Sequence, residues 1–313
     1  MRKFIITTLS LALFFLMNCE SGAPQQSGTQ TDEPTTEQDS SKPAKNRDCP
    51  ITGNVLEGNK VVLAEKQLIA YILADSTTYN EDFGDSHRVL AIYDAEDCEE
   101  IQRLTLPENT NPDYAYYLAK VNYNNAGNIL GIRGFDKVYC YDFEAKKLLA
   151  ALQPAYLSER YGEDAQSGMI LRAEVWENFL IGFARDEGTF AFDLSDKSAI
   201  KKILPIAEYE INETEFASLF AFPMENGGQQ LVLPQYDIEK DEFSINPILK
   251  EAKAVETNIA KNVRDNRFLV LREKNEDKTP IAVDMRGYKK VDLPEGMVGK
   301  GTQAILSWMR EED

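Results

Sequence analysis

The chain has 313 residues, of which 52 are acidic and 34 are Lys or Arg, so that its net charge at pH 7 is −18. A chain this acidic has no electrostatic attraction to the phosphates of nucleic acids, and we therefore expect no nucleic-acid partner. Anionic lipid headgroups would repel it as well, so a basic protein or a cation is the ligand that the charge favours.

The first 18 residues have the pattern of an export signal. Arg2 and Lys3 precede an apolar stretch that is too short to span a bilayer. The sequence Leu16-Met17-Asn18-Cys19 resembles the signal of bacterial lipoproteins, in which Leu stands three residues before the Cys. The resemblance implies a lipoprotein-type signal peptide at 1–18 and a lipid on Cys19. The lipid would anchor the protein to a membrane of the bacterial cell envelope, facing the periplasm or the cell surface. An ordinary secretory signal with an incidental cysteine is the alternative.

Residues 19–48 are rich in Ser, Thr, Gln, Pro and charge, a composition that cannot bury a core. We expect a disordered tether there, followed by one domain at 49–313. Three further cysteines leave one unpaired in an exported chain. Cys140 lies in the apolar strand "KVYCYDF", which predicts a buried free thiol. Three cysteines allow three different pairings, and we favour the one that leaves Cys140 free, a disulfide between Cys49 and Cys98.

An internal repeat dominates the rest of the chain. Residues 129–143, "ILGIRGFDKVYCYDF", align without a gap on residues 180–194, "LIGFARDEGTFAFDL", and three looser copies lie at 68–95, 230–248 and 267–285. Each copy has two apolar, alternating strands, with a short strand after it and in the two close copies one before it. A polar residue marks each copy near the end of its second strand: Asp94, Asp142, Asp193, Asn246 and Asp284.

The repeat predicts an all-β fold built from four-stranded units. Such units cannot cover their own faces and stack face to face, which favours a β-propeller of five or six four-stranded blades. The apolar strand that ends in Asp resembles the blades of WD40-like and quinoprotein-like propellers, although the Gly-His and Trp-Asp pairs of WD40 repeats are absent. Residues 51–56 and 302–309 also look strand-like, and they would close the ring or form a sixth, split blade. A β-sandwich or two smaller β-domains are the alternatives.

The sequence offers little catalytic chemistry. Its one histidine, His87, lies in a polar insertion and is expected to be solvated, and no nucleophile-elbow, P-loop or dinucleotide-binding pattern occurs. We therefore assign no catalytic residue, no metal and no cofactor. The "NEDFGD" loop at 80–85 is rich in oxygen ligands but lacks the calcium pattern of an EF-hand, and an acidic solvated loop is the simpler interpretation. Carboxylates are abundant, which keeps open a glycosidase-like enzyme acting on envelope polysaccharide.

Four long connections combine carboxylates with aromatic rings: 75–88, 107–117, 153–168 and 205–216. If the blades are in register, these connections meet at one face, where tyrosines supply contact area and carboxylates select charge. The predicted binding residues are Tyr79, Glu81, Asp82, Phe83, Tyr114, Tyr156, Tyr161, Glu163, Asp164 and Tyr209. The sequence thus predicts a lipid-anchored, non-catalytic binding or scaffold module with a protein partner of basic character. It does not determine the oligomeric state.

Overall fold

The computed structural model describes ten stretches of the chain: residues 49–51, 53–82, 84–124, 128–154, 168–185, 187–210, 213–252, 268–273, 276–284 and 289–312. They belong to one compact unit, Pro43–Asp313. The predicted signal peptide and the whole of the predicted tether, including Cys19, lie outside the described residues.

The described chain forms five antiparallel sheets, each made of strands that follow one another in sequence. The first sheet contains β1 (Asn54–Leu63), β2 (Leu68–Ala74), β3 (Arg88–Asp94) and β4 (Glu100–Thr105). The second contains β5 (Leu118–Asn124), β6 (Ile129–Gly134), β7 (Val138–Asp142) and β8 (Lys147–Leu148). The third contains β9 (Ile170–Trp176), β10 (Phe179–Ala184), β11 (Gly188–Asp193) and β12 (Lys201–Ile203).

The fourth sheet contains β13 (Ala207–Glu210), β14 (Glu215–Pro223), β15 (Gln229–Asp237) and β16 (Glu242–Ala252). The fifth has three described strands, β17 (Phe268–Arg272), β18 (Pro280–Asp284) and β19 (Lys289–Val291). Two helices follow, α1 (Glu295–Val298) and α2 (Thr302–Glu311). An all-β fold with four-stranded units is thus what the structure has, and no helix in the described part of the chain is long and apolar enough to cross a membrane.

The repeated Asp at the end of a strand makes the same local turn in three of the sheets. The Oδ1 atoms of Asp94, Asp142 and Asp193 each accept a hydrogen bond from the backbone amide two residues later, at 2.7–3.0 Å. This turn joins the third strand of each of these sheets to the fourth. Asp suits the turn because its side-chain oxygen accepts a hydrogen bond that a backbone carbonyl would otherwise accept. Asn246 differs, since it lies within β16 and its amide donates to the carbonyl of Leu233.

Successive sheets pack face to face and share hydrophobic cores. The first and second sheets enclose Leu63, Ala70, Ile72, Leu90, Ile92, Leu106, Leu130, Ile132, Tyr139, Tyr141 and Phe143. The second and third enclose Cys140 with Ile129, Val138, Leu180, Phe190 and Phe192 among others. The third and fourth meet at Phe179, Ile181, Ala191, Phe220, Phe222 and Val232, and the fourth and fifth at Leu219, Leu231, Leu233, Leu269, Leu271, Ile281 and Val283. Middle strands are therefore buried on both faces, which explains their unbroken apolar runs.

The outer faces of the first and last sheets are covered by other segments. Cys49 and Ile51 pack on the free face of the first sheet, where Cys49 is bonded to Cys98 by a disulfide with an S–S distance of 2.17 Å. This is the pairing favoured from the sequence. On the fifth sheet the cover is α2, which buries Ile305, Leu306 and Met309. No hydrophobic cluster among the described residues joins the first sheet to the fifth.

The first three sheets are traversed in the same sense. The amide of Ile170, at the start of β9, donates to the carbonyl of Phe135 in the β6–β7 turn at 2.7 Å. At the opposite end, the Lys197 ammonium in the β11–β12 connection donates to Asp142 at the end of β7, at 2.9 Å. Corresponding strands of neighbouring sheets therefore run parallel.

The fourth sheet is traversed in the reverse sense. Phe179 at the start of β10 stacks on Phe222 near the end of β14, with ring centroids 4.2 Å apart. Phe183 near the end of β10 instead contacts Phe216 near the start of β14, at 5.5 Å. The two second strands are therefore antiparallel. The cause is the connection between β12 and β13, which is only residues 204–206 and leaves β13 on the same side of the stack as β12.

Two sequence predictions are wrong at the level of secondary structure. Residues 302–309 are not a strand but most of α2, and Ile305, Leu306 and Met309 have the spacing of one helical face. Burial of these three side chains contributes roughly 1.5–3 kcal/mol each. Residues 205–216 are not one long connection, because Ala207–Glu210 forms β13. β13 is an edge strand, and charged residues are common on edge strands as well as in loops.

Candidate binding interface

The connections at one end of the first three sheets form a braced surface, which we call the loop end. Within the described residues it comprises the β2–β3 loop (75–87), the β4–β5 connection (106–117), the β6–β7 turn (135–137) and the β10–β11 turn (185 and 187). The start of the β8–β9 connection joins it through Gln153 and Pro154. The antiparallel order of strands within each sheet places all of these segments at the same end.

The side chain of Asn109 attaches the β4–β5 connection to the β6–β7 turn of the second sheet by hydrogen bonds. Its side-chain amide donates to the carbonyls of Tyr114 and Tyr117 at 2.9 and 2.8 Å. Its Oδ1 atom accepts from the backbone amides of Phe135 and Asp136 at 2.8 and 3.3 Å. Only 6 % of Asn109 is exposed, so these bonds are shielded from water. One buried side chain thus holds two segments that are 26 residues apart in sequence.

Asp136 makes the reciprocal attachment. Its two carboxylate oxygens accept from the amides of Thr110 and Asn111 at 2.9 and 2.7 Å, and the residue is completely buried. The Thr110 hydroxyl in turn donates to Gln153 at 3.2 Å, which ties in the next connection. A buried carboxylate needs such donors, because an unbonded charge is costly away from water.

Aromatic stacking completes the bracing. Tyr114 lies flat on Phe135, with centroids 4.0 Å apart and planes at 2°, and Tyr117 meets the same ring edge-on at 6.0 Å. His87 packs on Tyr116 at 4.6 Å, and its Nε2 atom is 3.7 Å from Glu108. His87 is therefore only partly solvated, since the neighbouring connection covers one side of its ring while 31 % of its side chain is exposed.

The β2–β3 loop presents the exposed part of the loop end. The Asp75 carboxylate accepts hydrogen bonds from the hydroxyl and the amide of Thr77, and these bonds lower the pKa of Asp75. Further along, Asp85 is engaged by the Arg88 guanidinium at 2.7 Å and by the Ser86 amide at 2.8 Å. Both Asp85 oxygens therefore already accept hydrogen bonds, so the loop has fewer oxygen atoms free to bind a calcium ion than its sequence suggests.

The predicted binding residues fall into four groups. Tyr79 is 58 % exposed at the loop end, and Glu81 and Asp82 beside it are exposed as well. Tyr114 is half-buried by its stacking, so it supports the surface more than it forms it. Tyr209 lies on β13 and not in a connection. The remaining five lie outside the described residues: Phe83, Tyr156, Tyr161, Glu163 and Asp164.

Sequence reasoning missed a charged cluster near the loop end. Arg172 on β9 forms an ion pair with Asp241 in the β15–β16 turn, and Tyr236 donates to the same carboxylate at 2.7 Å. Burial, this hydrogen bond and the Asp241 charge raise the pKa of Tyr236 to about 12. Arg133 interacts electrostatically with both Arg172 and Asp241, and its buried Nε atom has no hydrogen-bond partner. Burial lowers the pKa of Arg133. No local pattern announces this cluster, because its members come from three sheets.

The pKa shifts of the described carboxyl groups bear on the glycosidase-like alternative. A glycosidase needs a carboxyl group with a raised pKa, and the described carboxyl groups with clearly shifted pKa values are all shifted downwards: Asp75, Glu100, Asp142, Asp196 and Asp237. Burial raises the pKa of the Cys140 thiol to about 12, so this cysteine is no nucleophile at neutral pH. No group of three His, Cys, Asp or Glu residues in the described stretches is arranged to hold a metal ion.

Comparison with known proteins yields similarity at the level of solved structures only. No protein-family model matches the chain, and no curated protein matches it. The structure of U3-55K is 8 % identical, covers 77 % of this chain and 64 % of its own, and has a TM-score of 0.35. The Mitotic Checkpoint Complex contains a chain that is 14 % identical, covering 88 % of this chain and 75 % of its own, with a TM-score of 0.32. The β-propeller domain of the Trilobed protease from Pyrococcus furiosus is 11 % identical, with coverage of 74 % and 68 % and a TM-score of 0.27. We draw nothing about function from likenesses this distant.

Proposed function

We propose that this protein is a non-catalytic binding module of the bacterial cell envelope, anchored to a membrane by a lipid on Cys19. Its partner is a protein with basic residues, and the partner binds at the loop end. One observation carries the proposal. The Asn109 and Asp136 bonds hold the β4–β5 connection to the β6–β7 turn. At the same end, Tyr79, Glu81 and Asp82 are exposed in a loop that is itself braced, because Asn80 pairs with Asp85 through the backbone and its Oδ1 atom accepts from the Asp82 amide at 2.9 Å.

Rigid support matters because binding then costs little conformational entropy. An exposed tyrosine beside two carboxylates provides apolar contact area together with selection for positive charge. The net charge of −18 strengthens the attraction to a basic partner over longer distances. Nothing in the described residues favours the polysaccharide-cleaving alternative.

We also infer that the five sheets are five blades of a propeller-like array. They stack in chain order, and each is buried against its neighbours. A sixth blade would need a strand at 302–309, where the chain is helical. Small-angle X-ray scattering distinguishes a closed ring from an open stack by the radius of gyration. A value that fits two separate β-domains would contradict the array.

The binding proposal is tested by crosslinking in cells, followed by mass spectrometry. We expect a partner that is captured by the wild type and lost in the triple variant Tyr79→Ala, Glu81→Gln, Asp82→Asn. With the purified partner, we expect affinity to fall at least tenfold and to weaken with added salt, since exposed charge pairs are screened.

The matched control carries the same kinds of change on the outer surface of the first sheet: Ile101→Ala, Glu96→Gln and Glu99→Gln. Ile101 is 50 % exposed, so its truncation removes exposed apolar area as Tyr79→Ala does. The control should retain the partner. Equal loss in both variants, or no captured partner in the wild type, would contradict binding at the loop end.

The anchor is tested separately with Cys19→Ser. We expect wild-type protein to take up a radiolabelled fatty acid and to sediment with membranes, and the variant to do neither. A variant that still incorporates the label would show that Cys19 is not the attachment point.

A further inference from the structure

A cavity of about 540 Å³ opens between the third and fourth sheets, at the end opposite to the loop end. It lies where the β9–β10 turn, the end of β11 and the β14–β15 turn meet, and the reverse course of the fourth sheet brings these segments together. Its polar lining includes Ser195 and three amide side chains, Asn178, Asn226 and Gln230, together with the carboxylates of Glu177, Asp193 and Glu225. A volume of this size is in the range of small-molecule sites.

The cavity carries negative charge and no positive charge. Three of its lining residues are carboxylates and none is Lys, Arg or His. Asp193 accepts a hydrogen bond from the amide of Ser195 at 2.9 Å, but no ion pair joins Asp193, Glu177 or Glu225 to a lysine or arginine in the described part of the chain. Three carboxylates around one opening raise the local concentration of cations.

Gln230 is the observation that points to a ligand. It pairs with Phe222 on β14 and therefore shares the face that packs on the third sheet. Only 7 % of Gln230 is exposed, and its side-chain amide makes no hydrogen bond to any described residue. Gln230 is not among the residues with a fully buried polar atom that lacks a partner, so its amide opens on the cavity, where a ligand could take the place of water as its hydrogen-bond partner.

The remaining walls are apolar. Phe179 is 4 % exposed and stacks on Phe222 at 4.2 Å, while Pro223 and Met224 line the opposite wall from the β14–β15 turn. The aliphatic part of a ligand would lie against these apolar groups. A positively charged group at the end of that ligand would face the carboxylates and the Gln230 carbonyl oxygen.

We propose that this cavity binds an ammonium group carried on an aliphatic stem. The ammonium would donate hydrogen bonds to the Gln230 carbonyl and to the carboxylates of Glu177 and Asp193. Two sources share this chemistry: a lysine side chain of a bound protein and a free polyamine. The inference is independent of the proposed function, because the cavity and the loop end lie at opposite ends of the third sheet.

Isothermal titration of the full chain tests the site with three probes. Spermidine represents the free polyamine, and acetyl-Ala-Lys-Ala-amide represents the lysine side chain. Acetyl-Ala-norleucine-Ala-amide is the uncharged match, and we expect it to bind at least tenfold more weakly than the lysine peptide. Tighter binding of the lysine peptide than of spermidine identifies a protein side chain as the natural occupant, and the reverse order identifies a polyamine.

Two variants locate the binding. Gln230→Leu keeps the side-chain size and removes the amide, and we expect affinity for the charged probes to fall at least tenfold. Glu177→Gln should lower it about three- to tenfold. Glu96→Gln, an exposed carboxylate on the first sheet, is the control that should change nothing.

An NMR titration of the wild type locates the binding independently of the variants, so a variant that fails to fold does not leave the proposal untested. Met224, one of the seven methionines, lines the cavity, and its methyl NMR resonance, assigned with Met224→Leu, should shift with spermidine or lysine peptide. Absence of binding by both charged probes overturns the proposal. So does equal binding of the norleucine peptide, or equal weakening by Glu177→Gln and Glu96→Gln.

Discussion

Asn109→Asp is the change that most directly tests the bracing of the loop end. The two side chains have the same shape, but the aspartate replaces the donating NH2 group with an oxygen. That group donates to the carbonyls of Tyr114 and Tyr117 at 2.9 and 2.8 Å, and more weakly to Ala115 at 3.3 Å. The variant would therefore turn a carboxylate oxygen towards three carbonyl oxygens in a buried position.

The expected cost follows from these contacts. Two short hydrogen bonds contribute about 1 kcal/mol each, and a buried carbonyl left without a donor costs about 1–3 kcal/mol. Together they lower the free energy of unfolding by about 4 kcal/mol. For a domain of this size, about 2 °C of melting temperature corresponds to each kcal/mol, so we expect a decrease of about 8 °C.

The penalty should depend on pH in a defined direction. Burial, the carbonyl oxygens and the nearby Asp136 would raise the folded-state pKa of the new carboxyl group above its unfolded value of about 3.9. The charge penalty is then complete above the folded-state pKa and decreases as pH falls towards the unfolded value. A protonated acid also restores one donor.

Urea denaturation at pH 7 and pH 4 measures both effects. Asn226→Asp is the matched control, because Asn226 uses only its oxygen, which accepts from the Gly228 amide at 2.9 Å, and aspartate keeps that oxygen. We expect it to change stability by less than about 0.5 kcal/mol. If Asn109→Asp costs under about 1 kcal/mol at pH 7, Asn109 does not hold the loop end together.

Three further predictions concern the scaffold. Replacing Cys49 and Cys98 with Ala should lower the free energy of unfolding by about 4 kcal/mol, the chain-entropy value for a separation of 49 residues. Urea denaturation checks this value, and a reducing agent should destabilise the wild type but not the variant. Gly182→Ala should cost about 3 kcal/mol by thermal unfolding, since its Cβ would lie 2.3 Å from the Arg172 carbonyl oxygen, which is fixed backbone. An unchanged melting temperature would contradict this contact. Arg133→Met should raise stability by about 1 kcal/mol in urea, because it removes a buried Nε atom that has no partner; a decrease would show that the guanidinium has a stabilising contact.

Much of the fold was predictable because its signals are local. Alternating apolar residues identify strands over five or six positions, as in β2 and β6, and a strand-end Asp such as Asp142 makes its turn with the amide two residues later. The α2 segment carries a local signal too, because Ile305, Leu306 and Met309 have helical spacing, but so short a run of apolar residues also fits a strand. At the loop end, the exposure of Tyr79 and its acidic neighbours was predictable because connections between strands run over the surface.

What the sequence by itself determined is therefore the class of the fold, its repeating unit and the β2–β3 and β4–β5 connections at the loop end. Only the tertiary structure decided which contacts join these segments. The Asn109 amide meets Phe135 across 26 residues, Arg172 meets Asp241 across 69, and Gln230 faces a cavity made by the reverse course of the fourth sheet. Such partners have no fixed spacing, because the packing of whole sheets sets their distances and no periodicity in the chain encodes it.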